Sequence, residues 1–287
     1  SVVKRRALQA DDTIKSSRKG PVFMYPIVSV HLPFQSIDNC RDLGGIRTRD
    51  GRAVRPGKLI RSASLEKASM LDLQTLDEMG IDHIIDLRTD WEIARHPDRL
   101  LREWQVVHLP VLHASALTKQ EGGKLKTLED FARNTGKSLT DLYPLLVLNP
   151  HAVLMWRKFF RTLIDHPGSW FFHCTQGKDR TGTAAILLLT AFGVDEETIR
   201  NDYLQTNLYM EVPASAQKFV NRYFPRHEQT LDADLDSYYC AAPAYWEALN
   251  AAVVRHYGSW QNYLTEALGL SDKDLETLRT EYLTEVE

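Results

Sequence analysis

The 287-residue chain contains little cysteine. Its three cysteines, Cys40, Cys174 and Cys240, lie far apart, and no Cys-x-x-Cys pair occurs. This number and spacing exclude a disulfide framework and a structural zinc site. We therefore expect at most one of the three thiols to carry chemistry, and we expect no metal.

Long apolar runs and a strong net charge are also missing. The longest apolar run, 184–192, has about half of the roughly 18 residues that a membrane span needs, so we expect a buried helix and no membrane span. A formal net charge of -3 gives no reason to expect nucleic-acid binding. Residues 1–10 lack the apolar segment of a signal peptide. Localisation stays open between the cytoplasm and secretion.

The pattern of residues divides the chain unevenly. Residues 1–20 are polar and basic without periodicity, which predicts a loose arm, and residues 21–287 are expected to form a single domain. A long polar segment from about 112 to 149 is typical of a lid or a disordered insertion. We expect a helical lid there, with Phe131 and Tyr143 either covering a pocket or packing in the core.

Short β-type and longer helical segments alternate, which predicts an α/β fold with a partly parallel sheet flanked by helices. Strands are expected at 58–61, 81–87, 105–109 and 170–173, with an edge strand within 22–32 because Pro26 cannot donate to a central ladder. Helices are expected at 71–79, 152–164, 183–192, 195–209, 214–223, 244–257, 260–268 and 272–283. Gly80 ends the first of these, and Ser271 is a candidate N-cap of the last.

The chemistry is concentrated in residues 173–182, which read HCTQGKDRTG. A predicted strand ends just before Cys174. Five residues separate Cys174 from Arg180, and a predicted helix follows Arg180. A loop that enters a helix N-terminus presents converging backbone N–H groups to a phosphate, and those dipoles with Arg180 favour a thiolate. Arg180 offers two parallel donors to phosphate oxygens. The pattern predicts a phosphomonoester hydrolase in which Cys174 attacks phosphorus.

Seven loop residues are expected to contact the phosphate: Thr175, Gln176, Gly177, Lys178, Asp179, Arg180 and Thr181. Gly177 allows a tight turn against the ligand. Thr181 is placed to help the thiolate leave, and His173 to orient the loop. A P-loop NTPase is excluded, because Asp179 follows Lys178 and no glycine lies five residues before Gly177.

The loop resembles that of the bacterial tyrosine phosphatase family that includes the secreted mycobacterial and listerial tyrosine/lipid phosphatases. Five other motifs, spread between residues 34 and 285, are similar to that family: 39–45 (NCRDLGG), 59–63 (LIRSA), 85–92 (IDLRTDWE), 202–207 (DYLQTN) and 257–259 (YGS).

The resemblance implies a cysteine-phosphatase fold that acts without a cofactor on phosphotyrosine proteins and on phosphoinositides. Lys178 would supply the extra charge that a polyanionic head group needs; the less favoured alternative is that it is an ordinary solvated residue. A soluble inositol polyphosphate or a small phosphoester is the alternative substrate. A catalytically inactive phosphate-binding module is a further alternative, against which both Cys174 and Arg180 argue. A monomer is the default.

Three carboxylates are candidates for the proton donor. The resemblance favours Asp86, which lies at the C-terminal end of a predicted strand, where open α/β sheets bind ligands. Asp179 is an alternative that could instead shape the loop. Asp98, in His96-Pro97-Asp98, resembles the acid loop of ordinary tyrosine phosphatases, but the family keeps that region for structure.

Three further pairs of residues around the site could interact. Arg41 and Asp42 are expected to form a buried ion pair or to order a loop. Residues 88 and 92 are an arginine and a glutamate four apart, which suits an ion pair at a helix start. Cys40 replaces the family's usual phenylalanine; a reversible disulfide with Cys174 is conceivable, but a small apolar substitution is the favoured interpretation.

Overall fold

The computed structural model describes residues 26–112, 139–210 and 240–285. Its sheet has six strands, β1 (Val30–His31), β2 (Arg41–Asp42), β3 (Leu59–Ser62), β4 (His83–Asp86), β5 (Gln105–His108) and β6 (Trp170–His173). They are arranged in the order β1-β2-β3-β6-β4-β5. The pairs β1–β2 and β2–β3 are antiparallel, and the pairs from β3 to β5 are parallel.

Helices lie on both faces of this sheet. They are α1 (Met70–Glu78), α2 (Asp90–Arg95), α3 (Leu139–Leu142), α4 (Leu145–Leu148), α5 (Pro150–Asp165), α6 (Asp179–Phe192), α7 (Glu196–Leu204), α8 (Thr206–Tyr209), α9 (Pro243–Tyr257), α10 (Trp260–Asn262), which continues as a π-helical turn (Tyr263–Ala267), and α11 (Asp272–Tyr282). The predicted α/β fold with a partly parallel sheet is confirmed.

Alternation along the strands separates two apolar clusters, because successive side chains of a strand point to opposite faces. Ile60, Ile84 and Phe171 pack with the buried leucines of α1 on one face. Leu59 and Ile85 pack on the other face, in the larger cluster formed with α4 to α7, α9 and α11. All four residues of β6 are buried, as expected for a central parallel strand covered on both sides.

Helix α6 extends from the end of the candidate loop into the larger cluster. All its residues after Asp179 are buried, as expected for the apolar run 184–192. Gly193, with φ 82°, ends the helix in the left-handed conformation that favours glycine. Within the described part of the chain, no helix combines the length and apolarity that crossing a membrane requires.

The structure adds two elements that the sequence did not predict, β2 and α2, and it shortens others. Within the described residues 26–32, the expected edge strand is limited to β1. The helix expected over 195–209 divides into α7 and α8, and the helix expected over 260–268 divides into α10 and the π turn. Gly80, with φ 82°, and Ser271, an N-cap with a capping box, agree with the prediction.

Several expectations fall outside the described residues. These are the arm at 1–20, the helix at 214–223, Phe131 and most of the segment at 112–149. The described end of that segment forms α3 and α4. That residues 21–287 form a single domain stays a prediction.

Candidate active site

The candidate loop lies at the C-terminal end of the central strand. β6 ends at His173 and α6 begins at Asp179, so the loop comprises Cys174 to Lys178. In the parallel register, Ser62 of β3 and Asp86 of β4 are both level with His173. Neighbouring strand ends therefore surround the loop, in the position where open α/β sheets bind ligands. Cys174 is buried there, with 2% of its surface exposed.

Gly177 makes the tight turn that the sequence predicts. Its φ of 69° is left-handed, and a Cβ atom at this position would lie 2.5 Å from the carbonyl carbon of Ser62. Both the conformation and the close approach require glycine here.

Arg180 is held by a carboxylate from α2. Glu92 accepts from Nη1 and Nη2 of Arg180 at 2.6 and 2.8 Å, and from the hydroxyl of Thr175 at 2.5 Å. Burial raises the pKa of Glu92, but Arg180 and Thr175 outweigh burial and bring it to about 2. The guanidinium is thereby fixed in one plane. Burial lowers the pKa of Arg180, but the charge and hydrogen bonds of Glu92 outweigh burial, so the net shift is upwards.

The ion pair expected between Arg88 and Glu92 is wrong. Glu92 lies in the first turn of α2, where it completes a capping box with Thr89, and its side chain reaches the loop instead. Arg88 binds Asp86 through Nε at 3.0 Å and through Nη2 at 2.7 Å, and Asp98 through Nη2 at 2.7 Å.

Asp86 is therefore a bound carboxylate. Burial raises the pKa of Asp86. The charges of His173 and Arg88 and the hydrogen bonds from Arg88 lower it by more than burial raises it, so the net shift is downwards. A proton donor needs a carboxyl group that holds a proton and reaches the leaving oxygen. This geometry disfavours the proton-donor role that the sequence predicts for Asp86.

His173 and Asp98 lie behind the loop. A ring nitrogen of His173, Nε2, lies 3.1 Å from Asp98, while Nδ1 lies 3.1 Å from the carbonyl oxygen of Cys174. Burial lowers the pKa of His173, but Asp86 and Asp98 outweigh burial and raise it. Asp98 also accepts from the amide of Leu65 at 2.8 Å. These contacts agree with the structural roles expected for both residues.

Within the described ranges, Asp86, Asp98 and His173 are also the residues whose ligand atoms could hold a metal ion, all lying within 4.8 Å of one another. Arg88 already donates to both carboxylates at 2.7 Å. A cation would have to displace that guanidinium, so the cluster suits an internal salt bridge better than a metal.

Asp179 is the most accessible of the three acid candidates. Its side chain is 18% exposed, against 3% for Asp86 and 5% for Asp98. The hydroxyl of Tyr143 donates to Asp179 and lies 2.7 Å from the hydroxyl of Tyr203. Burial, and next the charge of Asp179, raise the pKa of Tyr143 well above 10. Tyr143 therefore stays protonated and keeps Asp179 at the loop.

Lys178 is buried, with 1% of its surface exposed, so the solvated interpretation is wrong. Its ammonium group lies 3.5 Å from Asp179 and 5.6 Å above the ring of Tyr245. Tyr245 in turn stacks on Tyr143 with ring centroids 4.6 Å apart. A second cation and an aromatic wall thus border the loop.

Arg41 and Asp42 do not form an ion pair with each other, whereas the loop-ordering alternative fits Asp42. As neighbours on β2 they point to opposite faces. Arg41 binds Asp202 at 3.2 Å, whereas Asp42 accepts from the amides of Gly44 and Gly57 at 2.8 and 2.7 Å. Asp42 orders a turn, and Arg41 belongs to a buried cluster below the loop.

Comparison with known proteins fits this arrangement. The sequence profile of the tyrosine phosphatase family matches residues 32–284. The chain belongs to the tyrosine phosphatase family.

Three relatives support the assignment. A Cupriavidus necator protein, whose name assigns it provisionally to the tyrosine-protein phosphatases, is 32% identical over 88% of each chain. The triple specificity protein phosphatase PtpB of Mycobacterium tuberculosis is 26% identical over 84% of this chain and 95% of its own. A tyrosine-protein phosphatase of Nostoc commune is 26% identical over 79% of this chain and 74% of its own.

The contacts that two residues, Asn39 and Arg61, make with the loop of this phosphatase could not be predicted from its sequence. Arg61 donates to the carbonyl oxygen of Gly177 at 3.0 Å and to Asp202 at 2.5 Å. Asn39 donates to the carbonyl oxygens of Gln176 and Gly177, each at 3.1 Å. These partners are more than 100 residues apart in the chain, so no local pattern indicates them. The capping box of Thr89 and Glu92 is a local signal that could have indicated α2.

Cys40 of the phosphatase packs in the apolar cluster of α1, whereas Cys174 belongs to the larger cluster. Burial raises the pKa of Cys40 to about 12. Both thiols are free. The structure thus favours the small apolar interpretation of Cys40.

Proposed function

We propose that this protein hydrolyses phosphomonoesters through a cysteinyl-phosphate on Cys174, with phosphotyrosine proteins and phosphoinositides as substrates. The observation that carries the proposal is the loop itself: it leaves the central strand at Cys174, enters α6, and ends beside Arg180, which Glu92 already holds in place.

In the first step, phosphate oxygens accept hydrogen bonds from the loop N–H groups and from Arg180. The Cys174 thiolate attacks phosphorus, an S–P bond forms, and the P–O bond to the leaving group breaks. In the second step, water attacks phosphorus and a P–O bond forms. The thiolate leaves with the electrons of the S–P bond, and the carboxylate that donated a proton in the first step accepts one from the water. Thr181 supports that departure: its hydroxyl is buried and has no hydrogen-bond partner in the described part of the chain.

Asp179 is the preferred donor of the proton that the leaving oxygen takes up. It is more exposed than Asp86 or Asp98, and it is the first residue of α6, directly after the loop. Asp86 and Asp98 share Arg88 and lie deeper, where they support His173.

Two features support a broad substrate range. Lys178 adds a second cation beside the loop, which suits a substrate with more than one phosphate. The mycobacterial relative carries the name of a triple specificity phosphatase. A soluble inositol polyphosphate would use the same charges, so it stays the second candidate.

The basic test is release of p-nitrophenol from p-nitrophenyl phosphate by the wild type and by Cys174→Ser. We expect turnover from the wild type and none from the variant, with activity retained in EDTA. If neither the wild type nor Cys174→Ser releases p-nitrophenol, the enzymatic proposal is refuted and the alternative of a phosphate-binding module is left. A panel of phosphotyrosine peptides, phosphoinositides and soluble inositol phosphates, compared by kcat/KM, then identifies the substrate class.

A further inference from the structure

The peptide groups of the loop must be turned correctly before they can bind an anion. In a trans peptide the C=O of one residue and the N–H of the next point in opposite directions, and the described residues contain no cis peptide bond. A side chain that holds the carbonyl of Gln176 therefore aims the N–H of Gly177 the other way. The carbonyl of Gly177 fixes the following N–H in the same manner.

Asn39 holds both carbonyls from inside the protein. It is 1% exposed, and its Nδ2 lies 3.1 Å from the carbonyl oxygens of Gln176 and Gly177. The opposite amide orientation would place Oδ1 against two other acceptors, so the contact fixes which end donates. Asn39 has a φ of 52°, a conformation that asparagine tolerates better than most residues. It lies just before β2, which places it below the loop.

Arg61 adds a second donor and a charge. Its Nη2 lies 3.0 Å from the carbonyl oxygen of Gly177, and its Nη1 lies 2.5 Å from Asp202, which also binds Arg41. All three ionic side chains are at most 2% exposed. Two guanidinium groups thus face one carboxylate, which leaves positive charge below the loop. Burying unbalanced charge is costly, and an anion bound on the loop would offset it.

We propose that Asn39 and Arg61 are positioning residues that hold the carbonyls of Gln176 and Gly177 inward and so keep the loop N–H groups aimed at the phosphate before substrate binds. The proposal rests on the phosphatase function proposed for this loop. Donors that are already oriented bind an anion without the cost of ordering them at that moment.

The test uses Asn39→Gly, because glycine accepts the positive φ while the amide donor is lost. We expect inorganic phosphate, measured by calorimetry, to bind roughly tenfold more weakly, because the two hydrogen bonds that orient the loop are lost. We expect KM for p-nitrophenyl phosphate to rise by a similar factor and kcat to fall. Asn39→Asp, which has the same size but sets oxygen against two carbonyls, should bind phosphate more weakly still.

Arg61→Lys is the second variant, and it decides the matter if Asn39→Gly fails to fold. It keeps the charge but loses the fork that reaches Gly177 and Asp202 together. We therefore expect its dissociation constant for phosphate to exceed that of the wild type by more than twofold. The matched control is Asn250→Ala, which removes an amide that contacts Trp260 and Glu196 outside the loop. It should lower the melting temperature without changing phosphate affinity.

The outcomes separate clearly. If the variants lower the melting temperature as Asn250→Ala does, yet keep the phosphate dissociation constant and KM within twofold of the wild type, the positioning role is refuted. Failure of the proposed phosphatase function has a different signature, because the wild type itself would then release no phosphate while the comparison of phosphate affinities still stands.

Discussion

Both carboxylate oxygens of Glu92 accept hydrogen bonds from the guanidinium of Arg180, at 2.6 and 2.8 Å, although the two residues are 88 positions apart in the sequence. The two side chains are nearly buried, at 8% and 9% exposed. A guanidinium held on one edge in this way presents its remaining edge in a fixed direction. The arginine proposed to bind phosphate is thus oriented by the fold before a ligand arrives.

Glu92→Gln should weaken catalysis without removing a group that touches the substrate. The amide offers one acceptor where the carboxylate offers two, so Arg180 can tilt, and a misplacement of about 1 Å costs roughly 10²-fold. We expect kcat/KM for p-nitrophenyl phosphate to fall by about that factor. Glu66→Gln is the control, because Glu66 pairs only with the exposed His96 in the described residues. A Glu92→Gln enzyme within threefold of the wild type would contradict this.

The carboxylate of Glu92 should also make the free energy of unfolding depend on pH under acidic conditions. Its pKa is about 2 in the folded protein, below the usual 4.5. Between these values the unfolded chain binds a proton that the folded protein does not, so acid favours unfolding. The stabilisation that ionised Glu92 contributes is complete above pH 4.5 and is lost as the pH falls towards 2. We expect the gap in unfolding free energy between the wild type and Glu92→Gln, measured in urea at about pH 6, 4 and 3, to narrow with acid. A constant gap would contradict the depressed pKa.

The proton donor can be identified from leaving groups. Asp179→Asn should slow hydrolysis of phenyl phosphate, a poor leaving group, by about 10²-fold or more. p-Nitrophenyl phosphate, which leaves without a proton, should be much less affected. Asp86→Asn acts through Arg88 and His173, so it should slow both substrates equally and lower the melting temperature. A selective loss in Asp86→Asn instead would return the role to Asp86.

How much of this could be predicted from the sequence depends on the distance between partners. The loop from Cys174 to Arg180 is contiguous, so its spacing alone indicates the chemistry, and the strands around it show local apolar patterns. The partners of Arg88 and Arg41 could not be predicted in this way, because each arginine has a nearby acidic residue that local spacing favours. In the folded protein, Arg88 instead forms ion pairs with both Asp98 and Asp86, and Arg41 forms an ion pair with Asp202.

The proton donor shows the same limit. Position at a strand end correctly places Asp86 beside the loop, but position says nothing about which carboxylates are neutralised. The approach of Arg88 to Asp86, and of Tyr143 to Asp179, arises from packing between separate elements. Those contacts, rather than sequence motifs, are the grounds on which Asp179 is proposed as the proton donor in place of Asp86.

Thiol reactivity should distinguish Cys174 from Cys40. Burial holds the pKa of Cys40 at about 12, so this thiol is protonated and enclosed near neutral pH. The proposed mechanism requires Cys174 to attack as a thiolate, the form that alkylating reagents modify. Iodoacetamide at pH 7, followed by peptide mass spectrometry, should label Cys174 and leave Cys40 unmodified, and bound phosphate should slow the labelling. Cys40→Ala should keep kcat/KM within about threefold. A peroxide-induced disulfide between Cys40 and Cys174 would overturn the apolar role of Cys40, since the two thiols pack in separate clusters.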